Sequence, residues 1–550
     1  MSWIEKAENF ITSVENSKLP YIYFLATFFF AILLRNFFDS ICDTTLSLPT
    51  KFSINFHRVD PIDLTGNTFW YISLALMILI ALHLLTRENI VRISKLVLPG
   101  FLILLVVPLV DLLLSNGRGF NQSYWIPGYH DYLSKAWLHY SGPLWQLVGL
   151  ILRWLTGGGP YGEISGGATP GMRIEVALIL IGIGIYVYVK KRSVSKAILS
   201  AFIIYSIIFW WGALPTYGGK LFADLLGIKV EVAPFAGTPM PITILRFLLI
   251  PTTILGALAL YFYNKTYFKE LIKDLRPFRT AHYALMLVLG MAIATNLWRR
   301  SIPLTEKNIF ILIYTPLAFL FAGIFSIITN NLSDYEIDRI DHPNRPHVTG
   351  TIEEKHYKAL AGLSFVLAIL YSAVLDFVVL YLTILFIANY FIYSVPPLRL
   401  KRIPFFSKFF LALNALLLVI LGYYLVTGET DLPWQVALFI IVSFTACINF
   451  IDIKNHSGDE KAGIKTLPVL LGLKKSKILI GAFFLVSYIT LGVLIRTLLI
   501  PSVLFGVLIF LLINKKNYNE KLVFATYLLS LFLLIVYLFN SPSIIPTFHP

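Results

Sequence analysis

The sequence predicts an all-α polytopic membrane protein, and three observations carry that prediction. Of 550 residues, 57% are hydrophobic and only 14% charged, whereas an ordinary soluble domain carries about 25% charged residues. Mean hydropathy is +0.75. Apolar runs approaching the roughly 20 residues that cross a bilayer as a helix recur along the whole chain. They are continuous rather than alternating, which argues against a β-barrel.

Taken in order, residues 1–19 mix Glu5, Glu8 and Glu15 with Lys6 and Lys18. That is unlike the basic start of a signal peptide, and it reads as an amphipathic lead-in. Six apolar segments follow, at 20–41, 69–87, 96–115, 173–191, 197–215 and 241–263. The run 136–155 is shorter and holds Pro143 and Arg153, as a re-entrant or interfacial helix would. A charged stretch at 264–280 separates these from nine more segments, at 281–297, 309–329, 357–374, 377–394, 405–427, 434–452, 476–495, 498–513 and 520–540. Residues 1–263 therefore read as an N-terminal helical membrane domain and 264–550 as a second domain.

The chain has 45 Lys+Arg against 30 Asp+Glu, a net charge of +15. In a soluble protein that excess would point to nucleic acid. Here the basic residues fall mainly in short loops on one side, so membrane lipid is the expected partner and nucleic acid is not. With the N-terminus inside, Arg87, Arg92 and Lys95, then Lys190 to Lys196, then Lys265 to Arg279, and later Arg399 to Arg402 all face the cytoplasm. The 298–308 loop, with Arg299, Arg300 and Lys307, is the one clear violation. The outside loops 42–68 and 116–172 are large. The second holds His130, Asp131, His139 and Glu163 without metal-ligand spacing. Cys42 and Cys447 fall at different depths, which argues against a disulfide.

Two acidic clusters end the second and sixth segments of the C-terminal nine, an offset that suggests a duplicated four-helix unit plus one helix. In the first, Asn330, Asp334 and Asp338 are spaced i, i+4, i+8, one face of a helix. Arg339 and Arg345 follow. In the second, Asp452, Asn455 and Asp459 share a face if helix persists past Gly458, and Lys461 follows. Carboxylates are costly at membrane depth and usually have a use there. Each segment offers two carboxylates and an amide, and together they suit two or so Mg²⁺ ions shared with phosphate oxygens, while Arg or Lys nearby can take the remaining phosphate charge. The plainer reading is two solvated helix ends. Between the clusters, Tyr393-Ser-Val-Pro396-Pro397 runs on to Lys401. The prolines stop a helix, and Lys401 either points at a diphosphate or anchors a cytoplasmic loop.

Together these three motifs resemble the UbiA-type intramembrane prenyltransferases, over roughly residues 275–550. The resemblance rests on Asn330-xxx-Asp334-xxx-Asp338 with Arg345-Pro346, the loop from Tyr393 to Lys401, and Asp452-xx-Asn455-xxx-Asp459 with Gly463 to Pro468. It implies nine transmembrane helices around a central cavity, preceded here by about six more. It also implies transfer of a polyprenyl group from a polyprenyl diphosphate to a small-molecule or lipid acceptor, with Mg²⁺. Asp334, Asp338, Asp452, Asp459 and Tyr393 are then the expected catalytic residues. Asn330, Arg339, Arg345, Lys401 and Lys461 would bind diphosphate. Asn330, Asp334, Asp338, Asp452, Asn455 and Asp459 would hold metal. The departure is Asn455, where many members have Asp. The acceptor stays open among an aromatic quinone precursor, a lipid headgroup and a sugar phosphate. The expected site lies on the cytoplasmic side of the cell membrane. The competing reading is a multi-pass transporter with the acids as an ion relay, which would call for broken helices and midplane charges.

Overall fold

The computed structural model describes residues 2–42, 61–114, 170–208, 211, 240–299, 306–341, 343–403, 406–461 and 463–541. Most of the 42–68 loop, nearly all of the 116–172 loop with its His, Asp and Glu residues, and the 136–155 run lie outside the described residues. Among the described residues there is no strand. Among the same residues fourteen helices are long and apolar enough to cross a membrane. A helix satisfies every backbone polar group within itself, which hydrocarbon demands. The chain is a multi-pass integral membrane protein. The fifteenth expected segment, 197–215, is a shorter apolar helix at Val194–Ile208. The chain divides into two compact units, Met1–Lys265 and Thr266–Pro550.

The first unit contains α1 (Trp3–Glu15), α2 (Tyr21–Cys42), α3 (Pro61–Thr86), α4 (Ile90–Gly100), α5 (Val106–Leu114), α6 (Pro170–Lys191), α7 (Val194–Ile208) and α8 (Met240–Tyr263). Ser2 and Glu5 form a capping box that starts α1. Glu15 at its end is buried. It is neutralised by Lys190 at 2.5 Å and accepts the Tyr186 hydroxyl at 3.1 Å. Lys95 donates to the Ser17 carbonyl at 2.8 Å. Those bonds hold the lead-in helix on its own unit.

The second unit opens with a short helix, α9 (Lys265–Lys273). Its spans are α10 (Pro277–Trp298), α11 (Glu306–Ser333), α13 (Glu354–Ala373), α14 (Phe377–Ser394), α15 (Phe406–Thr427), α16 (Trp434–Cys447), α19 (Leu473–Leu494), α20 (Leu499–Asn514) and α21 (Glu520–Asn540). The acidic segments form their own short helices, α12 (Tyr335–Asp341) and α17 (Asp452–Lys461), and α18 (Leu467–Leu471) links onward. Nine spans thus lie in this unit among the described residues. Packing runs from α11 through α14, α15, α16, α19, α20 and α21 back to α10, with α13 against α11 and α14.

Inside that circuit α10 crosses α15 at two glycines. A Cβ at Gly290 would overlap the Val419 carbonyl oxygen, and one at Gly422 would overlap the Leu287 carbonyl oxygen. Small residues permit this backbone approach between membrane helices, where packing replaces the hydrophobic drive.

Candidate active site

A cavity of about 380 Å³ lies in the second unit, walled by α10, α11, α12, α14, α15, α16, α17 and α21. Leu287, Val288, Phe319, Leu320, Leu418 and Phe444 make part of it apolar, and Pro316 of α11 lines it too. Six polar residues of the two acidic segments, Asn330, Asp334, Asp338, Asp452, Asn455 and Asp459, also line it. The short helices α12 and α17 that follow the spans pack against each other.

Local backbone explains the first segment. The Asp334 N–H donates to the Asn330 carbonyl at 2.9 Å and the Asp338 N–H to the Asp334 carbonyl at 2.8 Å. Helical hydrogen bonding therefore carries through the α11–α12 junction and stacks the three side chains. In the second segment, a 3-10 turn at Ile448–Ile451 ends α16 and delivers Asp452 as the first residue of α17. Helix persists through Gly458 to Lys461, so Asp452, Asn455 and Asp459 share a face.

Three of the four carboxylates, Asp334, Asp338 and Asp452, have cationic company. Asp334 accepts Arg399 Nη2 at 2.6 Å and is bonded by Lys401. Asn330 Oδ1 accepts Ser394 Oγ at 3.0 Å and Lys401 Nζ at 3.2 Å. Burial lowers the Lys401 pKa against the pull of Asp334. Asp338 meets Arg345 Nη1 at 2.5 Å. His347 Nε2 lies 3.1 Å from the same oxygen, without the alignment of a hydrogen bond. Burial alone would raise the Asp338 carboxyl; His347 and Arg345 outweigh it and hold the group below its ordinary value. Asp452 Oδ1 accepts Lys408 Nζ at 2.7 Å, while its Oδ2 is buried and accepts no hydrogen bond.

Of the residues expected from sequence, Arg345, Lys401 and Tyr393 line the cavity with the six acidic-segment residues. Arg339 and Lys461 do not. Arg339 points outward, 59% exposed and 3.5 Å from Glu336. Lys461 is exposed at the end of α17. Helical phase accounts for both: Arg339 is one residue past Asp338 and Lys461 two past Asp459, so neither follows its carboxylate's face.

Sequence reasoning missed several wall residues. Lys408, Arg276, Arg279 and His282 all line the cavity. His282 stacks on Phe444 at 4.7 Å and lies 3.1 Å from the Tyr527 hydroxyl. Arg276 donates to Asn331 Oδ1 at 2.8 Å. Burial lowers its pKa to about 10, and neighbouring Arg279 and Arg345 push the same way. A lysine in the first turn of an apolar helix was the visible signal for Lys408. Tyr283 and Tyr390 share a hydroxyl hydrogen bond, and Tyr390 meets Tyr393 edge-on at 6.2 Å. They continue the aromatic wall.

Among the described residues, no three carboxylate, imidazole or thiol groups converge to hold a metal by themselves. Mg²⁺ is commonly held by one or two carboxylates, with substrate phosphates and water completing its shell. The oxygen-only donor set agrees with a hard cation.

A family model described as the UbiA prenyltransferase family matches residues 283–533. The chain is similar to the digeranylgeranylglyceryl phosphate synthase of Methanosphaera stadtmanae, 32% identical over 212 residues, 38% of this chain and 71% of that protein. It is similar to the protein of the same name from Thermococcus sibiricus, 30% identical over 227 residues, 41% of this chain and 76% of that one. Among solved structures, a UbiA homolog from Archaeoglobus fulgidus bound to DMAPP and Mg²⁺ is 18% identical, covers 49% of this chain and 98% of its own, and has a TM-score of 0.42. The chain is a membrane-embedded enzyme. It belongs to the UbiA prenyltransferase family.

Proposed function

We propose that the second unit transfers a polyprenyl group from its diphosphate to a lipid-type acceptor, with Mg²⁺, at the cytoplasmic face of the cell membrane. The observation that carries this reading is the opening of both acidic segments, with their cations, onto one cavity whose other walls are apolar and aromatic. Asn330, Asp334, Asp338, Asn455 and Asp459 are the oxygen donors for the ion, and Asp452 borders them. When bound, Mg²⁺ neutralises charge on the departing diphosphate. Lys401 and Arg345 hold phosphate oxygens in reach of the same carboxylates. Tyr283, Tyr390, Tyr393, Phe319 and Phe386 face the allylic carbon as the C–O bond breaks, and their ring faces shield a developing cation from water.

The acceptor is best read as a phosphate-bearing glyceryl lipid. Two similar proteins carry the name digeranylgeranylglyceryl phosphate synthase. Arg279 adds a positive charge to the cavity wall and has no ion-pair partner among the described residues. An aromatic quinone precursor would leave that charge without a use. The test is to supply purified protein in nanodiscs with geranylgeranyl diphosphate and candidate acceptors and follow the products by mass spectrometry. A prenylated glyceryl phosphate formed with Mg²⁺ and absent in excess chelator is the expected result. Full turnover in chelator would sink the reading.

A further inference from the structure

Lys408 enters the cavity wall from the first turn of a membrane helix, and it is the cation that meets Asp452. Its ammonium lies 2.7 Å from Asp452 Oδ1, with the two side chains 8% and 7% exposed. An ammonium has three N–H donors. Among the described residues Asp452 is the one hydrogen-bond partner of Nζ, so two donors remain at the cavity wall. Asp452 Oδ2 is buried there and unbonded. One turn on, Asn455 brings an amide where a carboxylate would bring charge.

We propose that Lys408 stands in for a second divalent ion. It neutralises Asp452, gives its remaining N–H donors to the diphosphate, and leaves a site that takes one Mg²⁺ rather than two. The proposal rests on the reading above that this cavity binds a prenyl diphosphate with Mg²⁺.

The charges at the second segment support it. Asp452 and Asp459 bring two negative charges, Lys408 returns one, and Asn455 adds none. A Mg²⁺ ion sits about 2.1 Å from its ligand oxygens, so an ion sharing Asp452 Oδ1 would lie within roughly 5 Å of the ammonium, and one on Oδ2 within roughly 7 Å, in a site with little water to screen them. The first segment also carries cations, but they are mounted differently. Arg345, Arg399 and Lys401 stand on stretches that connect membrane helices, from which long side chains can re-aim toward a diphosphate. Lys408 is fixed in α15 and 6% exposed. The single ion then draws on the donors that remain, Asn330, Asp334, Asp338, Asn455 and Asp459, one or two carboxylates at a time, with diphosphate oxygens completing its shell.

The experiment counts bound Mn²⁺, by the electron paramagnetic resonance of free Mn²⁺, on the full chain in nanodiscs saturated with a non-reactive thiolodiphosphate analogue of the prenyl donor. One ion per wild-type chain and two per chain of the double variant Lys408→Gln, Asn455→Asp are expected. Lys408→Arg keeps the count at one. Lys408→Gln alone binds the analogue about tenfold more weakly, because a charge-assisted hydrogen bond is lost. Two ions on the wild type overturn the proposal whatever the variants do. A count of one that the double variant leaves unchanged overturns it as well, since the lysine is then not what excludes the second ion. Analogue bound with no Mn²⁺ at all overturns the metal-dependent reading itself, and the proposal with it, and is distinct from either other result.

Discussion

Asn331 Oδ1 accepts a hydrogen bond from Arg276 Nη2 at 2.8 Å, tying the stretch before the first span of the second unit to the first acidic segment. The same oxygen accepts Arg345 Nη1 at 3.2 Å, and Asn331 Nδ2 donates to Asp274 Oδ2 at 2.8 Å and lies 2.9 Å from the Tyr357 hydroxyl. Asn331 is fully buried. Asn331→Ala should therefore cost roughly 3 kcal/mol, because several buried partners lose a bond at once. It should lower the melting temperature in detergent clearly more than Asn330→Ala does. Equal melting temperatures for the two variants would contradict this.

Asp334→Ala and Asp459→Ala should each cut turnover by about a hundredfold or more while leaving a folded protein, because both side chains border a polar part of the cavity. Asn455→Asp should remain active. Steady-state rates on matched nanodisc samples decide it; wild-type rates in both Ala variants would remove these carboxylates from the mechanism.

The depressed Asp338 carboxyl gives a pH signature. A group whose folded pKa lies below its unfolded value adds stability above the unfolded value, near 3.9. That stability is lost as pH falls through the folded value. In chelator, Asp338→Asn should thus lower the melting temperature at pH 7, and the gap from wild type should close below about pH 4. A gap that stays constant down to pH 3 would mean the ion pair with Arg345 contributes nothing.

The crossing of α10 and α15 should be intolerant of any side chain. Gly422→Ala places a methyl against the Leu287 carbonyl and should cost about 1–3 kcal/mol or more from overpacking. Gly428→Ala, at a positive φ of 81° but with open space around it, should cost less. Thermal unfolding of the two purified variants orders them.

A chain beginning at Phe268 should insert in membranes and retain prenyl transfer. The acidic segments, their cations and nine spans all lie after it. Diphosphate binding without transfer in that shorter chain would assign part of the acceptor site to the first unit.

The acidic segments were legible in the sequence because carboxylates at the ends of apolar runs are rare and their helical spacing is directly readable. Nine spans were legible from hydropathy for the same reason. Lys408 was not, since a basic residue at the start of an apolar run reads equally as a cytoplasmic anchor. Only the fold brings Asp452 to it. Asn331 sat in plain view beside Asn330, but its partners Asp274, Arg276 and Tyr357 are distant in sequence. Arg339 and Lys461 were grouped with the diphosphate by proximity along the chain, which does not respect the turn of a helix.

Arg276 is fourteen residues before Gly290, and Lys408 is fourteen before Gly422. At 1.5 Å per residue, Lys408 stands about 21 Å along α15 from the point where the two backbones touch, and Arg276, the N-cap residue of α10, lies just beyond the end of its helix at a similar distance. The crossing works as a common zero on two rulers, and it fixes the depth at which positive charge meets each acidic segment. Adding or removing one residue between a cation and its glycine would shift that charge by about 1.5 Å and swing it by about 100°, whereas the same change beyond the glycine would leave both charges where they are.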